Sequence, residues 1–508
     1  MKVLFLPLDE RPCNYKFPEL LAKSSDFDLV NVPLELLGNK KQSADINGIV
    51  DFLMDNAKKC DIAIISADML VYGGLVPSRV HNLQSDCLQS RLRVLEKLKK
   101  VNPNMTLFVF CTVMRAPAYN SSDEEPDYYA EYGRSLYLRA YLSDKKIRCN
   151  DLTQLQEKEL ESFDIPQYVI DDYENRRDKN LGINISILDL VANNTIDYLI
   201  FPQDDSSPYG YTAVSQRRLQ SAVYSKRLNS RVAMYPGSDE VGMTLLARAF
   251  CKSHRIKPAI SVEYSSILGP TIVPSYEDRP MFESLKSHVL ACGARLLENW
   301  EDSDLGDLSG LSGLNNICLM INAPGKVMQE AEFSVSNHDV TYDTYRNLNY
   351  FTNHICTLVE SGKKVALCDS AYSNGGDLQL LTLLDDNNVL DRIISYAGWN
   401  TNCNTLGTVL SQAILGIDSK SIKKNIAYRI IEDALYQSNI RWNIANRIDN
   451  YGGNYFDVKP CEAWAKCEAK NLLQKEYSKL NLSKALPLKI NNVDFPWKRM
   501  FEVNFDLL

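Results

Sequence analysis

The chain has 508 residues, of which 45% are hydrophobic and 24% charged, and its formal net charge is -8 at pH 7. This length exceeds what one compact core usually serves, so we expect two domains or one barrel with large additions. The composition is that of an ordinary globular protein, and the acidic balance argues against nucleic acid as the main partner, because nucleic-acid binding normally needs a concentrated basic face.

The cysteines and the start of the chain indicate a compartment. The 13 cysteines form no CxxC pair, and their odd number leaves at least one outside any internal disulfide, which favours a reduced, cytoplasmic setting. The sequence passes from Met1 and Lys2 directly into an apolar run without the pattern of a signal peptide. No run approaches the ~20 apolar residues of a membrane span, so we expect no membrane partner, while homo-oligomerisation stays open.

The first half of the chain alternates strand and helix patterns. Strands are predicted at 2–7, 28–33, 61–66, 106–113, 198–201 and 232–235, and helices at 44–58, 86–100, 185–192, 213–228 and 242–251. Such alternation predicts βαβ units with right-handed crossovers and a parallel sheet. The interval 120–180 is polar, charged and rich in tyrosine, and predicts inserted helices that form either a solvated excursion or a cap facing a substrate.

The same alternation continues to about residue 420 and is followed by a helical pattern. Further strands are predicted at 257–264, 317–321, 365–367 and 393–396, with a helix at 281–297 and a loop, also a candidate domain boundary, at 302–312. This strand content suits an α/β fold, either a (β/α) barrel or doubly wound parallel sheets with helical insertions. We divide the chain into an α/β domain at 1–255, a second α/β portion at 256–420 and a helical region at 421–508.

At least six of the apolar runs stop abruptly at carboxylate, arginine or amide side chains. The carboxyl ends of parallel strands meet at one edge of a sheet, where α/β proteins place their sites, so this recurrence predicts one polar, acidic site. We assign catalysis to Asp204 and Asp205. Substrate binding is assigned to the other polar residues at these positions, namely Asp9, Glu10, Arg11, Asp68, Arg115, Gln203, Asp239, Glu240 and Asp369, together with Asn374, Trp399 and Asn400 from two later segments.

The Asp204-Asp205 pair is the sharpest candidate for acid/base chemistry. Two carboxylates directly after a strand can lie in different environments, so that one stays ionised while the pKa of the other rises. Neighbouring side chains on a strand face opposite sides, so both reach one site only if the strand has ended, which Pro202 favours. In the alternative, one Asp caps the following turn or helix through backbone N–H groups.

The other clusters also have structural alternatives. Arg11 can hold a substrate oxygen or pair with Asp9, and Asp239 can serve chemistry or cap the helix that follows. The glycines at 375–376 can admit a ligand closely or form a flexible turn. Trp399, in a segment dense in amides and hydroxyls, suits a polyhydroxyl ligand, and it equally suits a core position beside asparagines that cap a helix.

Several familiar mechanisms lack their sequence patterns. None of the 5 histidines lies at a predicted strand end or in an HxxxH pattern, and no Walker A, complete GxGxxG or GxSxG sequence occurs. We therefore predict no resident metal and no cofactor. Carboxylate ligation of Mg²⁺ or Mn²⁺ needs only oxygen ligands and stays open as an alternative.

Three segments carry a family resemblance. LPLDERP at 6–12, YPGSDEVG at 235–242 and YAGWNT at 396–401 together resemble DUF4127, a bacterial family of unassigned function. The likeness spans nearly the whole chain and implies one continuous architecture, without a mechanism to transfer. A more local likeness, from Tyr198 to Asp205, is to barrel glycosidases with an Asp-Asp pair that use the substrate's acetamido group as nucleophile. It implies that Asp204 orients that group and that Asp205 is the general acid/base.

These observations lead to three hypotheses about function. The first is a glycoside hydrolase, with a small-molecule carbohydrate as its partner and an N-acetylated sugar as one option. The second is a divalent-metal-dependent hydrolase of a phosphate or carboxylate substrate, with the same acids as ligands. The third is a sugar-binding protein without catalysis.

Overall fold

The computed structural model describes residues 1–297, 316–331 and 338–508, so the loop predicted at 302–312 lies outside the described residues. The strands are β1 Lys2–Leu6, β2 Asp28–Asn31, β3 Ile62–Ser66, β4 Thr106–Phe110, β5 Tyr198–Gln203, β6 Val232–Pro236, β7 Ala259–Tyr264, β8 Arg295–Leu296, β9 Asn316–Asn322, β10 Gln329–Glu330, β11 Lys364–Asp369, β12 Tyr372–Ser373, β13 Ser395–Ala397, β14 Ile490–Asp494 and β15 Asn504–Leu507.

Helices lie between most of these strands. They are α1 Lys16–Lys23, α2 Ile46–Ala57, α3 Ala67–Tyr72, α4 Leu75–Val80, α5 Ser85–Leu92, α6 Val94–Val101, α7 Tyr129–Cys149, α8 Gln154–Ser162, α9 Gln167–Ala192, α10 Tyr211–Ser225, α11 Val241–His254, α12 Met281–Ala291, α13 Thr341–Thr344, α14 Leu348–Glu360, α15 Leu378–Asp386, α16 Asn402–Leu415, α17 Ser419–Arg429, α18 Arg441–Ile448, α19 Glu462–Lys479 and α20 Leu482–Ala485. A π-helix spans Ile430–Ile440, and short 3-10 helices lie at Leu34–Leu36, Gly269–Thr271, Asp449–Tyr451, Lys459–Cys461 and Pro496–Lys498.

The first of two compact units, unit 1, contains residues 1–10, 27–242 and 276–278. Its sheet has six strands in the order β2-β1-β3-β4-β5-β6, and every pair is parallel. The chain starts in β1, adds β2 on one side and then extends on the other side through β3. All five residues of β3 are buried, because helices of a doubly wound fold cover both faces of the sheet.

Unit 2 contains residues 11–26, 243–275 and 279–508. Its main sheet has five parallel strands in the order β13-β11-β9-β7-β8. Read from β8, this order repeats the arrangement of the first five strands of unit 1, with the first strand between the second and the third. The helices from α17 to α20 and the antiparallel β14-β15 pair complete the unit.

These sheets confirm the predicted α/β class and its doubly wound alternative, and the described residues contain no closed barrel. The chain divides between Gly242 and Met243, whereas the sequence placed its first boundary at 255. The segment 11–26 belongs to unit 2 because α1 is amphipathic and buries Phe17, whose ring stacks on Tyr428 at 6.0 Å.

The charged interval 120–180 forms helices, as predicted, and they have an apolar core of their own. Tyr129 and Leu136 of α7 and Tyr173 of α9 belong to one buried cluster, and the Tyr129 and Tyr173 rings lie 5.6 Å apart. Several polar residues of the interval, including Glu125, Asp144 and Arg177, are buried as well. All the cysteines are free, and within the described part of the chain no helix has the length and apolarity needed to cross a membrane.

Candidate active site

The turn after β5 brings two acids to the edge of the unit 1 sheet. The strand continues one residue beyond Pro202, pairs Gln203 with Pro236 of β6, and ends before Asp204. Asp205 has φ +45°, in the left-handed region that Asp adopts more readily than most residues. Neighbouring side chains point to opposite faces only while the chain is extended, and here the strand has already ended. The side chains of Asp204 and Asp205 can therefore lie on the same side.

Two arginines connect these acids with a second pair. Arg79 donates to Asp204 through Nη2 and to Glu124 through Nη1, the latter at 2.8 Å. Arg115 donates to Glu124 through Nη2 at 3.2 Å and to Asp205 through Nη1 at 3.3 Å. Its Nε also donates to Glu125 at 2.8 Å. We call this group the acid-arginine cluster, and its members are Arg79, Arg115, Glu124, Glu125, Asp204 and Asp205.

Backbone pairing beyond the end of β4 places Arg115 beside the β5 turn. The Val113 N–H donates to the Pro202 carbonyl at 2.9 Å, so the chain follows β5 almost to Arg115. Asp68 holds the same segment, accepting from the backbone N–H of Thr112 at 2.8 Å and from its hydroxyl at 2.6 Å. Burial raises the pKa of Asp68 to about 6. The predicted substrate ligand Asp68 thus acts in this structure on the position of Arg115.

Arg79, which lies on α4, is absent from the predicted site residues. Sequence reasoning also missed the two neighbouring glutamates of the cluster, Glu124 and Glu125. They lie in the charged interval before Pro126 and follow no strand, so the strand-end rule did not select them. Glu125 is 1% exposed, and burial raises the pKa of its carboxyl group above its ordinary value. The only signal in the sequence was their adjacency, within a stretch where acidic residues are common.

Asp205 has the electrostatic character expected of an acid/base group. Desolvation by burial is the largest effect on its pKa, the positive charge of Arg115 opposes it, and the negative charge of Asp204 adds to it. The result is a pKa of about 7. A carboxyl group with this pKa is present in both protonation states near neutral pH, which is the condition for efficient proton transfer in both directions.

A cavity of about 420 Å³ opens beside Asp205. Asp205 and Ser207 line this cavity together with four tyrosines, Tyr119, Tyr137, Tyr141 and Tyr276. The rings of Tyr137 and Tyr141 lie 5.9 Å apart, and the Tyr137 hydroxyl is 3.2 Å from the Ser207 hydroxyl. The wall therefore combines aromatic faces with hydroxyl groups next to one titratable acid, a common composition for a small-molecule site.

The remaining residues predicted for unit 1 lie at its strand ends. Gln203 and Asp239 are buried, as are Asp9 and Glu240. Glu10 accepts from the backbone N–H of Lys40 at 2.8 Å, and the Lys40 ammonium group pairs with Asp123, the residue before Glu124. Glu10 thus supports the segment that carries the missed acids. Direct substrate contact by these residues stays a prediction.

Five predicted site residues belong to unit 2, and Asp369 is the centre of a network there. Its Oδ1 accepts from Asn322 at 2.9 Å, and its Oδ2 accepts from the Asp377 N–H at 2.8 Å and the Tyr396 hydroxyl at 3.1 Å. Asp377 in turn pairs with Arg346 at 2.8 Å. Burial is the largest cause that raises the pKa of Asp369 to about 7, and the negative charge of Asp377 adds to it.

The glycines near Asp369 are explained by packing. A Cβ at Gly376 would lie 2.4 Å from the Tyr396 hydroxyl and 3.0 Å from Asp369 Oδ2, and one at Gly398 would lie 3.1 Å from Asp369 Cβ. Glycine at these positions lets the backbone close around the buried acid. This accounts for Gly376 without the ligand approach or the flexible turn that the sequence left open.

We expect Gly376→Ala to lower the unfolding free energy by about 1–3 kcal/mol, because the added methyl group overpacks this contact. Urea unfolding followed by circular dichroism measures the change. Gly182→Ala is the matched control, since Gly182 lies within α9 and a Cβ there meets no atom within 4 Å. The control should be neutral or stabilising through helix propensity. Equal midpoints for both variants would contradict the packing argument.

The other predicted residues of unit 2 are tied into its interior. The Trp399 side chain donates through Nε1 to the Thr408 hydroxyl at 3.1 Å and is 4% exposed, which favours the core alternative. Asn374 donates from its backbone to the Asn400 carbonyl at 2.8 Å and from its side chain to Glu330 at 2.7 Å.

Arg11 likewise has internal partners. It donates to Glu502 at 3.1 Å, and its guanidinium group lies 4.5 Å from the ring centroid of Trp497. Substrate binding by Arg11, Asn374, Trp399 and Asn400 stays a prediction.

Comparison with known proteins places the chain in a family without assigning it a reaction. Within the described ranges, no group of three or more His, Cys, Asp or Glu side chains is arranged to hold a metal ion. No similar curated protein and no similar solved structure was found. The model of one family, described as a protein of unknown function, matches residues 3–506, nearly the whole sequence. The chain therefore belongs to the DUF4127 family.

Proposed function

We propose that this protein is a glycoside hydrolase whose general acid/base is Asp205. The observation that carries the proposal is the position of one carboxyl group, with a pKa of about 7, on the wall of a tyrosine-lined cavity of about 420 Å³. Glycosidases need a proton donor of this kind, because the departing sugar oxygen is a poor leaving group until it is protonated.

In the proposed reaction, protonated Asp205 gives its proton to the glycosidic oxygen as the bond from that oxygen to the anomeric carbon breaks. The bonding electron pair goes to the oxygen, which leaves as a hydroxyl group, and positive charge develops on the sugar. The carboxylate of Asp205 then takes a proton from the water molecule that adds to the anomeric carbon. Asp205 ends the cycle protonated, so no co-reactant besides water is required.

Asp204 supplies the fixed negative charge in this proposal. Its carboxyl group forms an ion pair with the buried guanidinium group of Arg79, which fixes the position of the side chain. A carboxylate beside the anomeric carbon stabilises the oxocarbenium-like transition state, and with an N-acetylated sugar it would orient the acetamido group that attacks. The two acids thus divide their roles through their environments.

The cavity wall supports a sugar as the substrate. Tyrosine rings cover the apolar C–H faces of a sugar, and the hydroxyl groups of Tyr137 and Ser207 can exchange hydrogen bonds with its hydroxyl groups. The cavity volume falls in the range of small-molecule pockets, roughly 300–1,000 Å³.

Turnover of 4-nitrophenyl glycosides by the full-length protein tests this proposal. The panel should contain both anomers of common hexosides and of N-acetylhexosaminides, with release of 4-nitrophenolate as the readout. Saturable hydrolysis of at least one glycoside is expected, unchanged by a chelator. Loss of activity with chelator and its return with Mg²⁺ or Mn²⁺ would favour the metal-dependent hydrolase, and sugar binding without turnover would favour the non-catalytic alternative.

The pH dependence of hydrolysis should report the pKa of Asp205. That group is protonated below its pKa of about 7 and ionised above it. Because the first step needs the proton, kcat/KM should fall above this pH by about tenfold per pH unit. Initial rates at low substrate concentration, from about pH 5 to about pH 9, measure the profile. A kcat/KM that rises through this range would assign the proton donor to another group.

A further inference from the structure

The strand order of unit 2 identifies a place for a second ligand. In doubly wound sheets, ligands bind outside the carboxyl ends of the strands, at the point where the strand order changes direction. In unit 2 the chain goes from β7 to β8 on one side and then crosses to β9 on the other side. The crevice at the carboxyl ends of β7 and β9 is therefore the expected position.

A cavity of about 770 Å³ lies at this position. Ser265, the first residue after β7, is part of its wall, and the Ser265 hydroxyl donates to Asn322 at the end of β9 at 2.8 Å. The rest of the wall includes Arg346, Asn347, Leu348, Asn349 and Gln379. The strand order and the position of the cavity thus identify the same crevice independently.

Arg346 has donor groups left for a ligand in this cavity. Its Nη1 donates to Asp377 at 2.8 Å, and its Nε donates to the Tyr342 carbonyl at 3.0 Å. Among the residues that the structure describes, Nη2 makes no hydrogen bond, although Arg346 is only 6% exposed. A buried guanidinium group with an unused nitrogen on a cavity wall favours an acceptor, above all a charged one.

The N-terminus of α14 adds further donors. Leu348 and Asn349 are the first two residues of this 13-residue helix, and both line the cavity. The first backbone N–H groups of a helix have no acceptor within the helix. In α14, the side chain of the cap residue Asn347 accepts a hydrogen bond from the Tyr350 N–H at 3.0 Å. A helix N-terminus favours negative charge, and here it lines the same cavity as Arg346.

The acids of the region leave room for an added anion. The Asp377 carboxylate accepts hydrogen bonds from the side chains of Arg346 and Asn322. It also accepts one from the Gln379 N–H in the first turn of α15, at 3.0 Å, so its negative charge is already compensated. Asp343 also lines the cavity, and its side chain is 63% exposed and therefore screened by solvent.

We propose that this crevice of unit 2 binds the carboxylate or phosphate group of a small polar molecule, held by Arg346 Nη2 and the first turn of α14. Its wall shares no residue with that of the cavity beside Asp205 in unit 1. The ligand is either a substrate or an effector. In both cases an anionic group of the ligand binds to the donors of the cavity wall.

Calorimetric titration of the full-length protein with inorganic phosphate, and separately with acetate, tests the site. Saturable binding of at least one anion, with a dissociation constant below about 10 mM, is expected. Asn349→Asp should weaken it roughly tenfold or more by adding negative charge to the wall, while an acid in the first turn favours the helix itself. Asn353→Asp is the matched control, because Asn353 is exposed on the same helix and outside the cavity wall.

The two anions distinguish the source of the negative group. Binding of phosphate alone indicates a phosphorylated ligand, and binding of acetate indicates a carboxylate ligand. Arg346→Gln should abolish the binding of either anion. If that variant does not fold, the comparison of anion affinity between Asn349→Asp and Asn353→Asp tests the site. Absence of saturable binding, or equal affinity in those two variants, would overturn the proposal.

Discussion

Asp205→Asn should reduce kcat/KM for glycosides by about 10²–10⁴-fold while the protein stays folded. The amide cannot donate the proton that the glycosidic oxygen needs, although its size and shape match those of the carboxyl group. Asparagine also adopts the left-handed conformation readily, so the φ of +45° at this position imposes little strain. Steady-state rates with purified wild-type and variant protein, together with matched circular dichroism spectra, measure the effect.

The choice of leaving group sharpens this experiment. A missing general acid matters most when the leaving oxygen is basic, so the loss should be larger for alkyl glycosides than for 4-nitrophenyl glycosides. Asp55→Asn, an exposed position on α2, makes the same chemical change outside the cluster and should leave both rates unaltered. Equal losses with good and poor leaving groups would show that Asp205 has a role other than proton donation.

The strands were predictable because burial between two helical layers leaves a strong mark in the sequence. Runs such as Ile62–Ser66 are buried on both faces and read as continuous apolar segments, and β1, β3, β5 and β6 end within two residues of the predicted positions. Helix ends were less certain, because α9 runs continuously from Gln167 to Ala192, whereas the sequence predicted inserted helices to about residue 180 and a separate helix at 185–192. Only a few residues of its first half, namely Val169, Ile170 and Tyr173, pack into the apolar cluster, so the apolar pattern there is weak.

Strand order and unit boundaries could not be predicted in the same way. A barrel and two doubly wound sheets contain the same alternating elements, and the difference lies in which strands pair over long sequence distances. The segment 11–26 shows the difficulty most clearly. It follows the first strand, yet its helix packs in unit 2, where Phe17 meets Tyr428 from a part of the chain some four hundred residues later.

The same distinction between local and non-local signals applies to the candidate site. Asp204, Asp205 and Arg115 were found because they follow strands, and strand ends define the edge of a parallel sheet. Glu124 and Glu125 reach the cluster from the inserted interval, through hydrogen bonds to Arg79 and Arg115 that no local pattern encodes. The acids predicted for one site also belong to two units, with Asp369 in its own network.

Arg79→Met should lower the unfolding free energy by about 3–5 kcal/mol at neutral pH, because it leaves buried carboxylates without their counter-charge. Arg79 is 2% exposed and pairs with Asp204 and Glu124. Burial raises the pKa of Glu125 and of Asp205, and the positive charge of Arg79 opposes that rise. Methionine fills a comparable volume with apolar atoms, so loss of charge is the main change. Denaturant unfolding gives the difference, and Arg93→Met, at an exposed position, should change stability by less than about 0.5 kcal/mol.

The pH dependence of this loss separates charge from packing. Without Arg79 the pKa values of Glu125 and Asp205 should rise further, so these carboxyl groups bind protons in the folded state at a pH where the unfolded chain does not. The penalty of Arg79→Met should therefore be largest at high pH and shrink as the pH falls through the raised pKa values. Asp204→Asn should likewise cost less in the Arg79→Met background than alone, since the two side chains form one ion pair. A loss that is equal at every pH would assign the role of Arg79 to packing, and the carboxylates of the cluster would then be stabilised by another group.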